Sequence, residues 1–401
     1  MITLGIETSC DETALALVET RDNGGLLEYR VLASYIHSQA DLHNQFGGVY
    51  PNLAKREHAK FLLPLLKKLL VDTAGYFDGI KSKIPNEIFD NKIKNIEAKY
   101  SAKNIDLVKT FLSENEFLKN IPPIDRIAVT EGPGLEPALW VGISFAQILN
   151  ELWGVEVVPV NHMEGHVIGS LLHDEETDKW QSMKDFATPG LALLISGGHT
   201  QIVEVSRKGH EFDYKIIGET RDDAVGEAYD KVARILDLPY PGGPHVSRLA
   251  DEALDMKLDL GIVLPRPMLK TDELDFSFSG LKTAVLYAVR DEKAKSKKLS
   301  DDFRRAISNE FENAVNEVLI TKIRKAIELS HAKSLIVGGG VIANKRLRQS
   351  FTNLVHEYGM SIYLPSKHVA GDNALMIAIS GSLQTNPKIR ELKADGTKSL
   401  S

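Results

Sequence analysis

Two pairs of segments recur in the same order along this chain, so whatever it folds into must be built from two similar halves. Residues 2–19 (ITLGIETSCDETALALVE) and 190–205 (GLALLISGGHTQIVEV) each show an apolar run, a turn of small and hydroxyl residues, and a second apolar run. That pattern predicts two strands joined by a tight polar turn. Residues 127–149 (IAVTEGPGLEPALWVGISFAQIL) and 334–347 (SLIVGGGVIANKRL) each show a short apolar strand, a glycine-rich loop and a helix-like stretch. A hairpin opening each half and a strand-glycine-helix unit nearer its end describe two related α/β lobes. At 401 residues the chain is long enough for both. The lobes are expected over 1–186 and 187–385, with a polar, turn-rich tail over 386–401 expected to be flexible.

The intervening stretches fit around these landmarks. Residues 54–70 carry apolar positions at helical spacing, and between 304 and 329 Ile307, Phe311, Val315, Val318, Leu319 and Ile323 mark a helix with one buried face. Residues 75–120 are rich in Lys, Asn, Ile and Phe with weak periodicity, and read as a helical, exposed insertion closed by Pro122-Pro123. The single cysteine, Cys10, removes any intramolecular disulfide and any cysteine zinc finger, and points to a reducing compartment. No apolar run approaches the roughly 20 residues of a bilayer span. A strand-like run begins at Ile2 with no room for a signal segment before it, so a cytoplasmic location is expected.

Three constellations can carry chemistry. In Asn161-His162-Met163-Glu164-Gly165-His166 the histidines are four residues apart, about 40° around a helix and within reach of one metal ion. Two ordinary surface histidines would show the same spacing. Glu164 sits two residues after His162, roughly 200° around, where a zincin base would follow its histidine directly, so a peptidase is disfavoured. Gly371-Asp372-Asn373 offers a carboxylate ahead of an apolar helix: a third ligand, or merely a helix cap. Nothing in the spacing joins positions 162 and 372. The second constellation is three glycine loops, Ser196-Gly197-Gly198, Gly242-Gly243 and Gly338-Gly339-Gly340, suited to nucleotide or acyl-adenylate phosphates although each alone is an ordinary turn. No GxxxxGK[ST] or GxGxxG occurs. The third is acidic: Asp11-Glu12 in the first turn and the run from Asp222 to Asp230, with the hydroxyl-aromatic stretch Asp275-Phe276-Ser277-Phe278-Ser279 a pocket lining or a buried turn.

Nine segments together resemble the tRNA N6-adenosine threonylcarbamoyltransferases, two-lobed sugar-kinase/actin-like (ASKHA) proteins once labelled glycoprotein endopeptidases. They are IETSCDET from Ile6, GGVYPNLAKREH from Gly47, NHMEGH from Asn161, LISGGHTQ from Leu194, DDAVGEAYDKVAR from Asp222, YPGGP from Tyr240, DFSFSGLKT from Asp275, GGGVIANKRLR from Gly338 and GDNALMIA from Gly371. They run in family order, and their wording is similar to the bacterial branch. The resemblance implies an α/β fold of two actin-like lobes related by duplication. It implies transfer of a threonylcarbamoyl group from threonylcarbamoyl-AMP to N6 of adenosine 37 in tRNAs reading ANN codons. It places a divalent metal, Fe(2+) ahead of Zn(2+), on His162, His166 and Asp372. It places the adenylate on Leu194, Ile195, Ser196, Gly197, Gly198, Asp230, Gly243 and Asn344, with Asp11 or Glu12 as proton acceptor. Implied partners are tRNA, a pseudo-enzyme paralogue, a P-loop ATPase and an upstream threonylcarbamoyl-AMP synthase, with no membrane.

Two departures stand out: the 75–120 stretch is longer than the family carries, and Glu136-Pro137 and Trp140 replace smaller residues where the paralogue would pack. A metal-dependent endopeptidase and an actin-like ATP-binding scaffold or kinase are the competing readings. The 48 Lys+Arg against 55 Asp+Glu leave a net charge of −7, which argues against autonomous tight binding of tRNA. Local basic clusters are Lys92, Lys94, Lys99 and Lys103; Lys293, Lys295, Lys297 and Lys298; and Lys345, Arg346 and Arg348.

Overall fold

A computed structural model describes residues 1–76, 82–173, 177–296, 298–385 and 391–400. The first half runs β1 (Ile2–Glu7), β2 (Glu12–Asn23), β3 (Leu26–Ser38), α1 (Ala40–Asn44), α2 (Pro51–Asp72), β4 (Ser82–Lys83), α3 (Asn86–Ser113), β5 (Asn120–Ile121), β6 (Arg126–Gly132), α4 (Glu136–Trp153), β7 (Glu156–Asn161), α5 (His162–Ser170) and β8 (Trp180–Ser182). The second runs β9 (Gly190–Ile195), β10 (Thr200–Lys208), β11 (Glu211–Glu219), α6 (Val225–Ile235), α7 (Gly242–Asp255), α8 (Ser279–Ser296), α9 (Asp301–Ser330), β12 (Ser334–Gly338), α10 (Lys345–Glu357), β13 (Ser361–Tyr363) and α11 (Ala374–Leu383).

The duplication read from the sequence is present in the sheets. The first has the order β7-β6-β1-β2-β3-β8 and the second β11-β10-β9-β12-β13. In each, the opening strand pairs antiparallel with the next, which pairs antiparallel with a third. On its other side the opening strand pairs parallel with the strand of the strand-glycine-helix unit, and that with one more parallel strand. Strands β1 and β9 are therefore central, which is why they read as apolar runs without alternation. The helix expected around 304–329 is α9, and all six apolar residues named for its buried face are buried.

Two helices cross the boundary drawn from sequence. Helix α11, from the second half, packs on β1, β2 and β6 of the first sheet. A Cβ at Gly5 would lie 2.2 Å from the Ala374 carbonyl oxygen and one at Gly381 2.3 Å from Ala128 Cβ, so glycine on each surface permits the close approach. Reciprocally, α5 packs on β9 and β12, with Gly338 against the His166 carbonyl. The ends of α5 and α11 thus meet between the lobes.

The 75–120 stretch is helical, as expected, but not simply exposed. Phe89, Ile96, Tyr100, Leu107, Val108 and Phe111 of α3 are buried and join the core shared with α2 and α4. The helix kinks at Asn104 (φ −145°, ψ 64°), whose side-chain amide donates to the Trp140 carbonyl and to Ser144 Oγ on α4. Trp140 therefore lies beside α3. The tail also departs from expectation: residues 386–390 and 401 are outside the described set, but 391–400 is seated on the first lobe, with Leu392 and Leu400 buried.

A neutral histidine holds the first hairpin turn. His58 of α2 donates from Nε2 to the Cys10 carbonyl at 3.0 Å and accepts from Thr13 Oγ1 at Nδ1 at 2.7 Å, so both nitrogens are used in the uncharged ring. Burial pushes its pKa down to about 4.

Two outcomes follow from this packing. Gly5→Ala should cost about 1–3 kcal/mol by forcing α11 off β1, read by urea unfolding, while Gly75→Ala, with nothing nearby, stays within about 0.5 kcal/mol of wild type. Because His58 is depressed when folded and titrates near 6.5 when unfolded, its contribution is full above that pH and is lost as pH falls toward 4. Roughly 3 kcal/mol of acid sensitivity in that window should be missing from His58→Gln, measured as the difference in urea midpoint between pH 7 and pH 4.5.

Candidate functional site

Asn161 starts α5 by accepting the backbone N–H of Met163 (2.9 Å) and Glu164 (3.4 Å) at Oδ1. One turn of helix then places the buried His162 and His166 rings edge to face, 4.6 Å between centroids. Asp372 reaches them from the turn before α11. It is free to do so because Asn373, not Asp372, caps that helix, accepting Met376 N–H at 2.9 Å. Asp372 Oδ1 is 3.4 Å from His162 Nε2 and 3.2 Å from His166 Nε2. The three donor atoms lie within 4.8 Å of one another. Ligand bonds of about 2.0–2.2 Å set neighbouring donors roughly 3.0–3.6 Å apart, so the set fits one divalent ion. His166 Nε2 is buried and has no aligned hydrogen-bond partner, as a ligand nitrogen awaiting an ion would be.

Behind His162 stands a group that sequence reasoning missed. The fully buried Glu7, at the end of β1, meets His162 Nδ1 at 3.1 Å through Oε2, with Ser9 Oγ 3.3 Å from the same nitrogen. Thr130 Oγ1 (2.6 Å) and Ser9 N–H (2.5 Å) donate to Glu7 and fix it. A carboxylate on the far nitrogen orients a ligating imidazole and raises its basicity. The only signal in the sequence was a charge closing an otherwise apolar strand.

The electrostatics bind these groups together. Burial works to raise the Asp372 carboxyl, but His162, by charge and hydrogen bond, and then His166 hold it well below the usual carboxylate range. Burial likewise opposes charge on His162, yet Asp372 and Glu7 lift that imidazole well above its ordinary value. Glu7 stays ionised because its attraction to His162 outweighs its own burial. His199 is pushed down to about 4 by burial and by the two neighbouring histidines. Glu164 is absent from the cluster; burial raises its carboxyl to about 7, relieved in part by Lys398.

The glycine loops converge beside this cluster. Gly226 at the start of α6 presses on the Ser196 carbonyl, and Gly339 (φ +96°) on that of Ile195; a Cβ would lie 2.5 and 2.4 Å from these oxygens. Gly197, Gly198 and Gly243 have no neighbour within 4 Å of a Cβ position, so their backbone faces open space. Other residues expected to bind an adenylate are spent internally. Leu194 and Ile195 fill the two sides of β9. Ser196 N–H bonds the His199 carbonyl at 2.9 Å, closing its own turn. Asn344 caps α10 through Leu347 N–H (3.0 Å) and donates to Glu312 (2.6 Å) and Ser247 (2.9 Å). Asp230 accepts Gly242 N–H at 2.7 Å, with its carboxyl raised to about 6 by burial.

Asp11 is buried and accepts from Tyr240 Oη at 3.3 Å, across the lobes. Burial, then Asp11 and Asp372, raise Glu12 well above the carboxylate range, so Glu12 favours its protonated form. Asp222 caps α8, accepting Phe278 and Ser279 N–H and both neighbouring hydroxyls, while Phe276 and Phe278 are core. The hydroxyl-aromatic stretch is thus the buried turn.

Much of the basic surface is also engaged. Lys92 bonds the carbonyls of Glu151 and Leu152 at the end of α4, and Lys99 pairs with Glu151. Arg346 turns to Glu312 and Asn313, and Arg348 to the Ile342 and Pro365 carbonyls. Lys297 lies outside the described residues. Among the described residues no helix is long and apolar enough to cross a membrane.

Comparison with known proteins bears on the whole chain. The family model of tRNA N6-adenosine threonylcarbamoyltransferase matches residues 30–81 and 91–379. Within the stretch expected as an insertion, only 82–90 falls outside that match. A protein of that name from Chromobacterium violaceum is 38% identical over 384 residues, covering 96% of this chain and 93% of its own length. One from Burkholderia ambifaria is 37% identical over 398 residues, covering 98% and 95%. Among solved structures, the (R)-2-hydroxyglutaryl-CoA dehydratase component A of Acidaminococcus fermentans aligns with a TM-score of 0.43 at 12% identity over 95% of this chain and 97% of that one. On the family model and these near full-length relatives, the chain belongs to the family of tRNA N6-adenosine threonylcarbamoyltransferases.

Proposed function

We propose that this protein is a transferase that moves a threonylcarbamoyl group from threonylcarbamoyl-AMP to N6 of adenosine 37 in tRNAs reading ANN codons. The observation that carries the reading at this site is the meeting of His162, His166 and Asp372 between the lobes, beside open glycine loops and across from Asp11. An exocyclic amine is a weak nucleophile because its lone pair is shared with the purine. The site must therefore hold it at near-attack distance from the carbamoyl carbon. In the reaction the N6–C bond forms, the bond from that carbon to the phosphate oxygen breaks, and AMP leaves. Asp11, hydrogen-bonded to Tyr240, accepts the proton that N6 gives up. The N–H groups of Gly197 and Gly198 and the first turn of α7 at Gly243 would hold the departing phosphate.

His162, His166 and Asp372 would hold the metal, Fe(2+) or Zn(2+), and Glu7 would orient His162. When bound, the ion supplies Lewis-acid polarisation of a substrate oxygen. A peptidase is disfavoured because Glu164, the only carboxylate of the HMEGH turn, sits two residues after His162, roughly 200° around the helix, where a peptidase base would follow its histidine directly. A kinase or scaffold has no use for that set.

On this reading the protein acts in the cytoplasm on donor made by a threonylcarbamoyl-AMP synthase. With many cations spent inside the fold, it relies on a pseudo-enzyme paralogue and a P-loop ATPase to complete the tRNA surface. A paralogue that packs near Trp140 must accommodate α3.

The deciding assay supplies threonine, bicarbonate, ATP, the synthase, partner proteins and unmodified tRNA. Mass spectrometry should find the threonylcarbamoyl increment at adenosine 37 only when this protein is present; metal-dependent peptide cleavage without that increment would replace the reading with the peptidase. His166→Ala should lose bound metal and transfer together, and a metal-free variant with full transfer would remove the metal from the mechanism. Glu7→Gln should weaken metal binding about 10–100-fold while leaving the ligand atoms in place, measured by competition with a chromophoric chelator.

A further inference from the structure

We propose that residues 391–400 form a strap that positions the histidine-bearing helix, acting through Asn161. The inference rests on the metal reading above and concerns a segment beyond the family match, which ends at residue 379.

The strap is fastened along its length. Leu392 is buried in the core of the first lobe. Next, three bonds converge on Glu131 at the end of β6: Asp395 N–H to its carbonyl (3.0 Å), Lys393 N–H to Oε1 (3.3 Å) and Lys398 Nζ to Oε2 (2.5 Å). Glu131 is itself buried, so Lys398 supplies the charge that a carboxylate in that place requires. The Gly396 carbonyl accepts Gly134 N–H at 3.2 Å. Gly132 makes the approach possible, since a Cβ there would lie 1.9 Å from the Asp395 carbonyl oxygen.

The far end of the strap reaches the metal helix by two routes. The Ser399 carbonyl accepts Asn161 Nδ2 at 3.0 Å, while the other atom of that same amide, Oδ1, caps α5. Leu400 joins the apolar cluster that contains Met163 and Val167 of α5. One amide therefore joins the strap to the first turn of the helix whose first residue is His162. Without that bond the Asn161 side chain can rotate about its cap, and the spacing of His162 to Asp372 loses a constraint. Asn161 and Leu400 are positioning residues: neither offers an atom to the ion.

The test uses full-length protein and Co(2+) as probe, whose visible absorption reports ligand geometry. Asn161→Ser keeps a capping oxygen but cannot reach the Ser399 carbonyl; Leu400→Ser releases the end of the strap and leaves His162, His166 and Asp372 themselves unchanged. Each should weaken Co(2+) binding about tenfold and broaden its spectrum, and the double variant should lose little more, because both changes undo one strap. Leu400→Met should bind as wild type. Unchanged affinity and spectrum in both single variants, or losses that simply multiply, would overturn the strap. Failure of the wild-type protein to bind Co(2+) would overturn the metal assignment and the strap with it, whereas failure of tRNA modification with Co(2+) binding intact would count against the proposed reaction alone.

Discussion

The site exists because two helices are exchanged between the lobes. Helix α11 lies on the first sheet only because Gly5 and Gly381 remove the side chains that would hold it off, and α5 lies on the second only because Gly338 does the same. Each helix begins at the interlobe boundary, so its first turn projects into the space between them. The histidines come from one such turn and Asp372 from the residue just before the other. Close packing elsewhere in the fold thus sets the distance between the histidines and Asp372, and overpacking at these glycines would be felt there.

Charge completes what packing begins. A carboxylate withdrawn from water is costly alone, and the three placed here, the buried Glu7 and Asp11 and the half-buried Asp372, are each tied to a partner on a different element: His162 for Glu7, Tyr240 for Asp11 and the histidine pair for Asp372. Glu7, His162 and Asp372 form one line running from β1 through α5 to the start of α11. Each member keeps its charge state only because the next is present. The line therefore rigidifies the seam between lobes.

How much of this was legible in the sequence depends on how local the information is. The hairpins and the strand-glycine-helix units are short-range patterns of period and turn chemistry, and both were readable, as was the duplication they imply. The histidine pair was readable because four residues make one turn. Its partnership with Asp372 was not, since nothing local says that α11 crosses to the other sheet; that Asn373 would take over the capping role left to Asp372 is equally silent. Glu7 looks like the last residue of a strand until Thr130 and Ser9, brought by other elements, hold it against His162. The tail reads as polar and turn-rich, and composition cannot show that its peptide groups pair with Glu131 and Gly134 or that Lys398 meets the Glu131 carboxylate. Leu194, Ile195 and Asn344 sit in motifs that face the cleft as segments while their side chains point into the protein.

That last point changes what kind of recognition the cleft can perform. With those side chains committed to the fold, the surfaces left open are the backbone of Gly197, Gly198 and Gly243 and a few acids. Peptide N–H groups bind a phosphate by direction and spacing, at no cost in side-chain ordering, and a helix start at α7 adds its dipole. On the proposed reading, such a wall would hold the invariant part of an adenylate and say little about its base. Discrimination of the base would then fall to the shape of the space between α6, α7 and the loop after β12, which the Gly226, Gly242 and Gly339 contacts fix with little play. The same glycines that close the fold therefore leave the cleft selective through geometry rather than through hydrogen-bonding side chains.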